Sequence, residues 1–214
     1  MRSFIYLHGF ASSPRSLKAV ELQRQFADLA IDLITPDLNQ ADFYHLTLSR
    51  QIQQVEGLLP EDGRAVTVIG SSFGGLTAAW LGERCPQVDR LVLLAPAFQF
   101  LEHWLPRLGA EQVRQWQTTG ALMTYHHSEQ RPLAIGYGLV TDMQHYDEAQ
   151  LQRPVPTLIL HGQQDDVIPI QSSRDFAADR PWVNLIELPS DHGLVDVQAE
   201  IWQAIGEFCS LMKQ

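Results

Sequence analysis

The stretch Ala65-Val66-Thr67-Val68-Ile69-Gly70-Ser71-Ser72-Phe73-Gly74-Gly75-Leu76-Thr77-Ala78-Ala79 decides how the rest of the chain is read. Residues 65–69 form an apolar run of strand length, small residues interrupt it, and a helical segment starts near Phe73. Gly70, Ser72 and Gly74 fit the pattern G-x-S-x-G in a strand-turn-helix context. In such a turn the central serine is held in a strained conformation. Small neighbours let the helix fold back close to the strand, and Gly74, Gly75, Ala78 and Ala79 suit that approach. Ser72 is therefore the candidate nucleophile, and Ser71, off centre, reads as a packing or supporting hydroxyl.

The same alternation of short apolar run and helical periodicity recurs along the chain. Strands are expected at residues 4–7, 31–35, 65–69, 90–94, 157–160 and 185–188. Between them, Ala19, Leu22, Phe26 and Leu29 share one helical face, and Leu48, Ile52, Val55 and Leu59 share another. Ser13-Pro14 reads as an N-cap with proline at the first helical position. A helix is expected around residues 171–178, and a last one carries Val197, Ile201, Ile205, Phe208 and Met212. Strands separated by helices pair in parallel, because each crossover needs a helix, and right-handed crossovers put helices on both faces. The expectation is a single three-layer α/β domain over residues 1–214, with a mainly parallel six-stranded sheet. One long segment, about residues 97–153, breaks the alternation. Its faces, such as Phe98, Leu101, Leu105 and Leu108, read as a helical cap over the carboxyl ends of the strands.

Composition limits the partners. Of 214 residues, 45% are hydrophobic and 19% charged, enough for a packed core. With 25 acidic against 15 basic side chains the formal charge is −10, opposite to that of a protein that neutralises phosphates. Nucleic acid and anionic membrane surfaces are excluded as expected partners, and no apolar run nears the roughly 20 residues of a membrane span. The N-terminus shows no secretory h-region, so a cytoplasmic location is expected. Cys85 and Cys209 read as free thiols rather than nucleophiles.

In open α/β sheets the chemistry gathers just past the carboxyl ends of the strands. The fifth expected strand runs into His161-Gly162-Gln163-Gln164-Asp165-Asp166, and the sixth is followed by Pro189-Ser190-Asp191-His192-Gly193. A serine hydroxyl needs a base within hydrogen-bond reach, and the base needs an orienting acid. His192 is the candidate base. Asp165 is the candidate acid, preferred over its neighbour Asp166, while Asp191 is too close in sequence to His192 to orient it. The order Ser72, Asp165, His192 is that of α/β-hydrolases. Oxyanion donors are expected from the backbone N–H of Phe73 and from Phe10, or Ala11, in the loop His8-Gly9-Phe10. His8 reads as a brace for that loop. His103, His126, His127 and His145 read as solvated or hydrogen-bonded, without metal-like spacing. No cofactor or metal is called for.

The strings His8-Gly9-Phe10-Ala11-Ser12-Ser13-Pro14-Arg15-Ser16-Leu17-Lys18-Ala19 and Gly70-Ser71-Ser72-Phe73-Gly74-Gly75, with Asp191-His192, resemble the small bacterial YqiA/YcfP-type α/β-hydrolases. The resemblance runs along nearly the whole chain, is weakest in the cap, and implies a compact esterase-like serine hydrolase. The loop from His161 to Asp165 looks more like that of general esterases. The expected reaction is hydrolysis of a small carboxylic ester through an acyl-enzyme. The same triad also serves thioesterases, amidases and acyltransferases, and a fold of this kind without chemistry would be a binding module. Aromatic side chains in the cap point to an uncharged acyl or alcohol portion, and the net charge disfavours polyanions.

Overall fold

The computed structural model describes residues 2–211. β1 (Ser3–Leu7), β2 (Leu33–Ile34), β3 (Val66–Ser71), β4 (Val88–Leu94), β7 (Thr157–Gly162) and β8 (Val183–Leu188) form one sheet in the order β2-β1-β3-β4-β7-β8. Every pairing in it is parallel. The expected strand at residues 31–35 shortens to β2, an edge strand that meets only β1.

Alternate residues of the central strands feed two cores. Ile5, Leu7, Val68, Leu91, Leu93 and Ile159 pack with α2 (Leu48–Glu56) and α3 (Phe73–Arg84). Phe4, Tyr6, Ile69, Val92, Leu158 and Leu160 pack with α1 (Leu17–Asp28) and α8 (Gln198–Phe208). A sheet covered on both faces accounts for the nearly unbroken apolar runs in its strands. This is the three-layer α/β-hydrolase architecture. The remaining helix of the body, α7 (Ile170–Ala178), joins β7 to β8. Met212, expected on the apolar face of the last helix, lies outside the described residues. No helix among the described residues is long and apolar enough to cross a membrane.

Two further expectations change. α1 does not start at Ser13-Pro14, because Ser13 is used in a turn: its Oγ accepts from Arg15 N–H and its carbonyl from Ser16 N–H. Ser16 is the cap instead, accepting from Ala19 N–H at 3.4 Å. The segment between β4 and β7 is also not wholly helical. It runs through α4 (Phe100–Leu108), α5 (Ala110–Thr119) and α6 (Gly138–Met143), but between α5 and α6 it forms an antiparallel hairpin of β5 (Ala121–His126) and β6 (Arg131–Gly136). Leu122, His126 and Ile135 are buried while Met123 and Tyr125 are exposed, the period of two expected of a half-buried ribbon. Trp116 locks α5 to the hairpin by donating from Nε1 to the Ile135 carbonyl at 2.9 Å.

Three glycines set how closely the elements approach. A Cβ at Gly70 would lie 2.2 Å from the Gly74 carbonyl oxygen, one at Gly74 2.3 Å from the Leu7 oxygen, and one at Gly162 2.3 Å from the Ser190 oxygen. All three obstacles are backbone, so none can move aside cheaply. We predict that Gly74→Ala destabilises the protein by roughly 3 kcal/mol or more, whereas Gly138→Ala, with open space around it, stays within about 1 kcal/mol of wild type. Urea unfolding of the two variants checks this, and equal effects would contradict it.

Candidate active site

Ser72 sits between β3 and α3 with φ 52° and ψ −118°, a backbone region that L-residues rarely occupy. The conformation is over-determined. Ser72 N–H donates to the Leu94 carbonyl at 2.9 Å, and the Ser72 carbonyl accepts from Gly75 and Ala97 N–H at 2.8 and 3.0 Å. Strain of about 1–3 kcal/mol is held in this way at sites that need a projecting side chain.

His192 arrives from the loop after β8. Its Nε2 lies 3.0 Å from Ser72 Oγ and its Nδ1 2.7 Å from Asp165 Oδ2. The loops that carry Asp165 and His192 are joined by backbone: Gln163 N–H donates to the Leu188 carbonyl and Gln164 N–H to the Ser190 carbonyl. Gly162 lets them touch. The three residues singled out from sequence thus form one hydrogen-bonded chain, with the Asp165 carboxylate fully buried and His192 partly open.

Asp166 and Asp191 are not part of it. Asp166 is exposed, and its carbonyl accepts from Arg107. The Asp191 carboxylate turns back to accept from Gly193 N–H at 2.7 Å. Cys85 and Cys209 are free and buried, and burial pushes the Cys209 thiol up to about 11. Among the described residues no group of three His, Cys, Asp or Glu side chains could hold a metal ion.

One site residue carried no role in the sequence reading. His161, fully buried at the end of β7, donates from Nε2 to Asp165 Oδ2 and to the Ile168 carbonyl, both at 3.0 Å. Because Nε2 faces only acceptors it carries the proton, and Nδ1 is left to accept from Ser173 Oγ at 2.7 Å. The other carboxylate oxygen of Asp165 accepts from Val167 and Ile168 N–H, each at 2.8 Å. Burial alone would raise the Asp165 carboxyl, but the hydrogen bonds from His161, His192 and Ile168 N–H outweigh it and hold the group well below the usual carboxylate range.

The β1 loop closes over the serine. An added Cβ at Gly9 would be 3.3 Å from Ser72 Cβ. His8, buried, braces this loop: Nδ1–H donates to the Gly9 carbonyl at 2.9 Å and Nε2 accepts from Leu38 N–H at 3.0 Å. Among the described residues, neither the Phe10 nor the Phe73 backbone N–H has a protein acceptor. The hairpin is tied to the same loop by His127 N–H, which donates to the Ala11 carbonyl at 2.8 Å. A cavity of about 880 Å³ opens at Ser72 and His192, with Phe10, Phe100, Trp104 and Tyr125 on its walls. His126 is instead a core residue, edge-on to Phe43, and His103 bonds Ser172 Oγ.

A model of the uncharacterised protein family UPF0227 matches residues 3–209. Among solved structures, alpha/beta hydrolase domain-containing protein 10 from mouse is 23% identical, with 98% of this chain and 88% of that one covered and a TM-score of 0.75. Est1E from Butyrivibrio proteoclasticus with ferulic acid bound is 18% identical over 98% of this chain and 88% of that one, with a TM-score of 0.81. The monoacylglycerol lipase of Paleococcus ferrophilus is 16% identical over 98% and 94%, with a TM-score of 0.72. These likenesses establish the shared fold.

The lowered Asp165 group has a consequence for stability. A carboxyl depressed in the folded state stabilises it fully above the unfolded value, near 3.9, and loses that contribution as pH falls toward the folded value. The stability difference between wild type and Asp165→Asn, from urea unfolding, is therefore expected to be full above about pH 5 and to shrink progressively below about pH 4. A difference independent of pH would contradict the charged, hydrogen-bonded carboxylate.

Proposed function

The chain belongs to the uncharacterised protein family UPF0227, and from that premise we propose that it is a serine hydrolase that cleaves small carboxylic esters through an acyl-enzyme. The observation that carries this reading is the unbroken chain Ser72 Oγ to His192 Nε2 at 3.0 Å and His192 Nδ1 to Asp165 Oδ2 at 2.7 Å, at the floor of an aromatic-walled cavity. The name of one structural neighbour, a monoacylglycerol lipase, agrees with it.

In the proposed reaction neutral His192 takes the Ser72 proton as Oγ attacks the ester carbonyl carbon. Asp165 keeps Nδ1 protonated and stabilises the imidazolium that forms. Negative charge develops on the carbonyl oxygen and is met by the Phe10 and Phe73 N–H groups. Donors free of other acceptors need no rearrangement to receive it. His192 then returns the proton to the departing alcohol. A water, deprotonated by the same imidazole, attacks the acyl carbon, and collapse releases the acid and restores Ser72.

Thioesters, amides and acyl transfer to another acceptor are compatible with the same groups, since the triad does not select the leaving group. Esters are placed first because the structural neighbour from Paleococcus ferrophilus is named a monoacylglycerol lipase.

Ser72→Ala and His192→Ala are each expected to lower turnover of 4-nitrophenyl acetate by several orders of magnitude. Asp165→Asn should lower it by about 10³-fold or more, and Asp166→Asn by less than about threefold. Steady-state kinetics of the four variants checks the assignment. Near-wild-type turnover by folded Ser72→Ala protein would sink it.

A further inference from the structure

The charged side chains that line the cavity at Ser72 are of the sign opposite to the molecule's net charge. The chain carries a formal charge of −10, yet no Asp or Glu lines the cavity, whereas Arg15 and Lys18 do. Both stand at the start of α1, Lys18 inside its first turn, where the helix dipole disfavours cations and where no acidic residue offsets them. Neither makes an ion pair within 4.0 Å among the described residues. Lys18 Nζ has one protein partner there, the Gly193 carbonyl at 2.9 Å, leaving two of its three ammonium donors unused. The Arg15 guanidinium, exposed at the rim, makes no hydrogen bond to the described residues. Asp165 and Asp191 lie behind the lining and keep their charge, but their oxygens are engaged, Asp165 by two histidines and two backbone N–H groups and Asp191 by Gly193 N–H, and neither pairs directly with Arg15 or Lys18. Burial draws the Lys18 ammonium down to about 8 against the pull of Asp165 and Asp191. It thus remains mostly charged at neutral pH.

We propose that Arg15 and Lys18 form an anion subsite in the Ser72 cavity, so that the preferred substrate is an ester bearing a carboxylate away from the scissile bond. The proposal rests on the hydrolase reading above and sharpens its substrate class. It also revises the expectation of an uncharged substrate, because what the ligand meets at close range is the lining and not the net charge. A single carboxylate matches two cations, while the −10 field outside still opposes polyanions.

The test compares kcat/KM for two pairs. In the first, 4-nitrophenyl hydrogen glutarate against 4-nitrophenyl valerate, the charge is in the acyl half. In the second, 4-acetoxybenzoate against its methyl ester, it is in the alcohol half. Wild type is expected to favour the charged member of at least one pair by about tenfold, with Lys18→Met and Arg15→Gln each lowering that ratio about fivefold or more. A ratio at or below one in both pairs, or a ratio unchanged in both variants, overturns the subsite and leaves the hydrolase reading standing. Lys18 also ties α1 to the His192 loop; if Lys18→Met does not fold, the exposed Arg15→Gln decides. If none of the four esters is cleaved, the hydrolase reading has failed, and calorimetry on the wild-type protein decides the subsite alone. Monomethyl glutarate binding more tightly than dimethyl glutarate supports it, and equal or weaker binding overturns it.

Discussion

The architecture depends on backbone packed against backbone with no side chain between. Gly74 brings the start of α3 onto the end of β1, and Gly70 brings the end of β3 onto the same turn. With that contact made, Ser72 has no choice but φ 52°, and its side chain leaves the sheet toward the loop that carries Phe10. Gly162 repeats the device two strands away, drawing the Asp165 and His192 loops together. Side-chain chemistry is thus positioned by atoms that are not side chains, which is why a methyl group at such places does more harm than a larger change on the surface.

Around that frame the polar groups are arranged so that the buried acid lacks nothing. Asp165 accepts four hydrogen bonds, two from histidines and two from backbone. A carboxylate so held remains ionised beside His192, which in the proposed reaction gains and loses charge. His161, fixed in turn by Ser173, donates to the same carboxylate oxygen, Oδ2, that His192 bonds, while the backbone N–H groups take the other. The β1 loop is treated similarly: His8 ties it from within, and the hairpin holds it from above through His127.

Much of this was legible in the sequence because its signals are local. Runs of four or five residues mark β1, β3, β4, β7 and β8, and the residues that follow β3, β7 and β8 are those that meet at the site. The hairpin was not legible. Its turn, His127-Ser128-Glu129-Gln130, contains neither glycine nor proline and takes its positive φ at Gln130. The alternation of Leu122 and His126 inward with Met123 and Tyr125 outward was its one trace, in a segment whose flanks read as helix. Ser13 and Ser16 are both competent caps, and only the turn that consumes Ser13 chooses between them. His161 and Lys18 escaped because the fold decides what each meets: His161 meets Asp165 by a turn after β7, and Lys18 meets the carbonyl of Gly193, distant in sequence.

In the proposed reaction Ser72 is the nucleophile, activated by His192, which Asp165 orients. The most direct measurement is reaction with a fluorophosphonate followed by peptide mass mapping, on wild type and on His192→Ala. One adduct per chain is expected, on Ser72, with labelling slowed by orders of magnitude in the variant. An adduct on another residue, or Ser72 labelled as fast without His192, would contradict it.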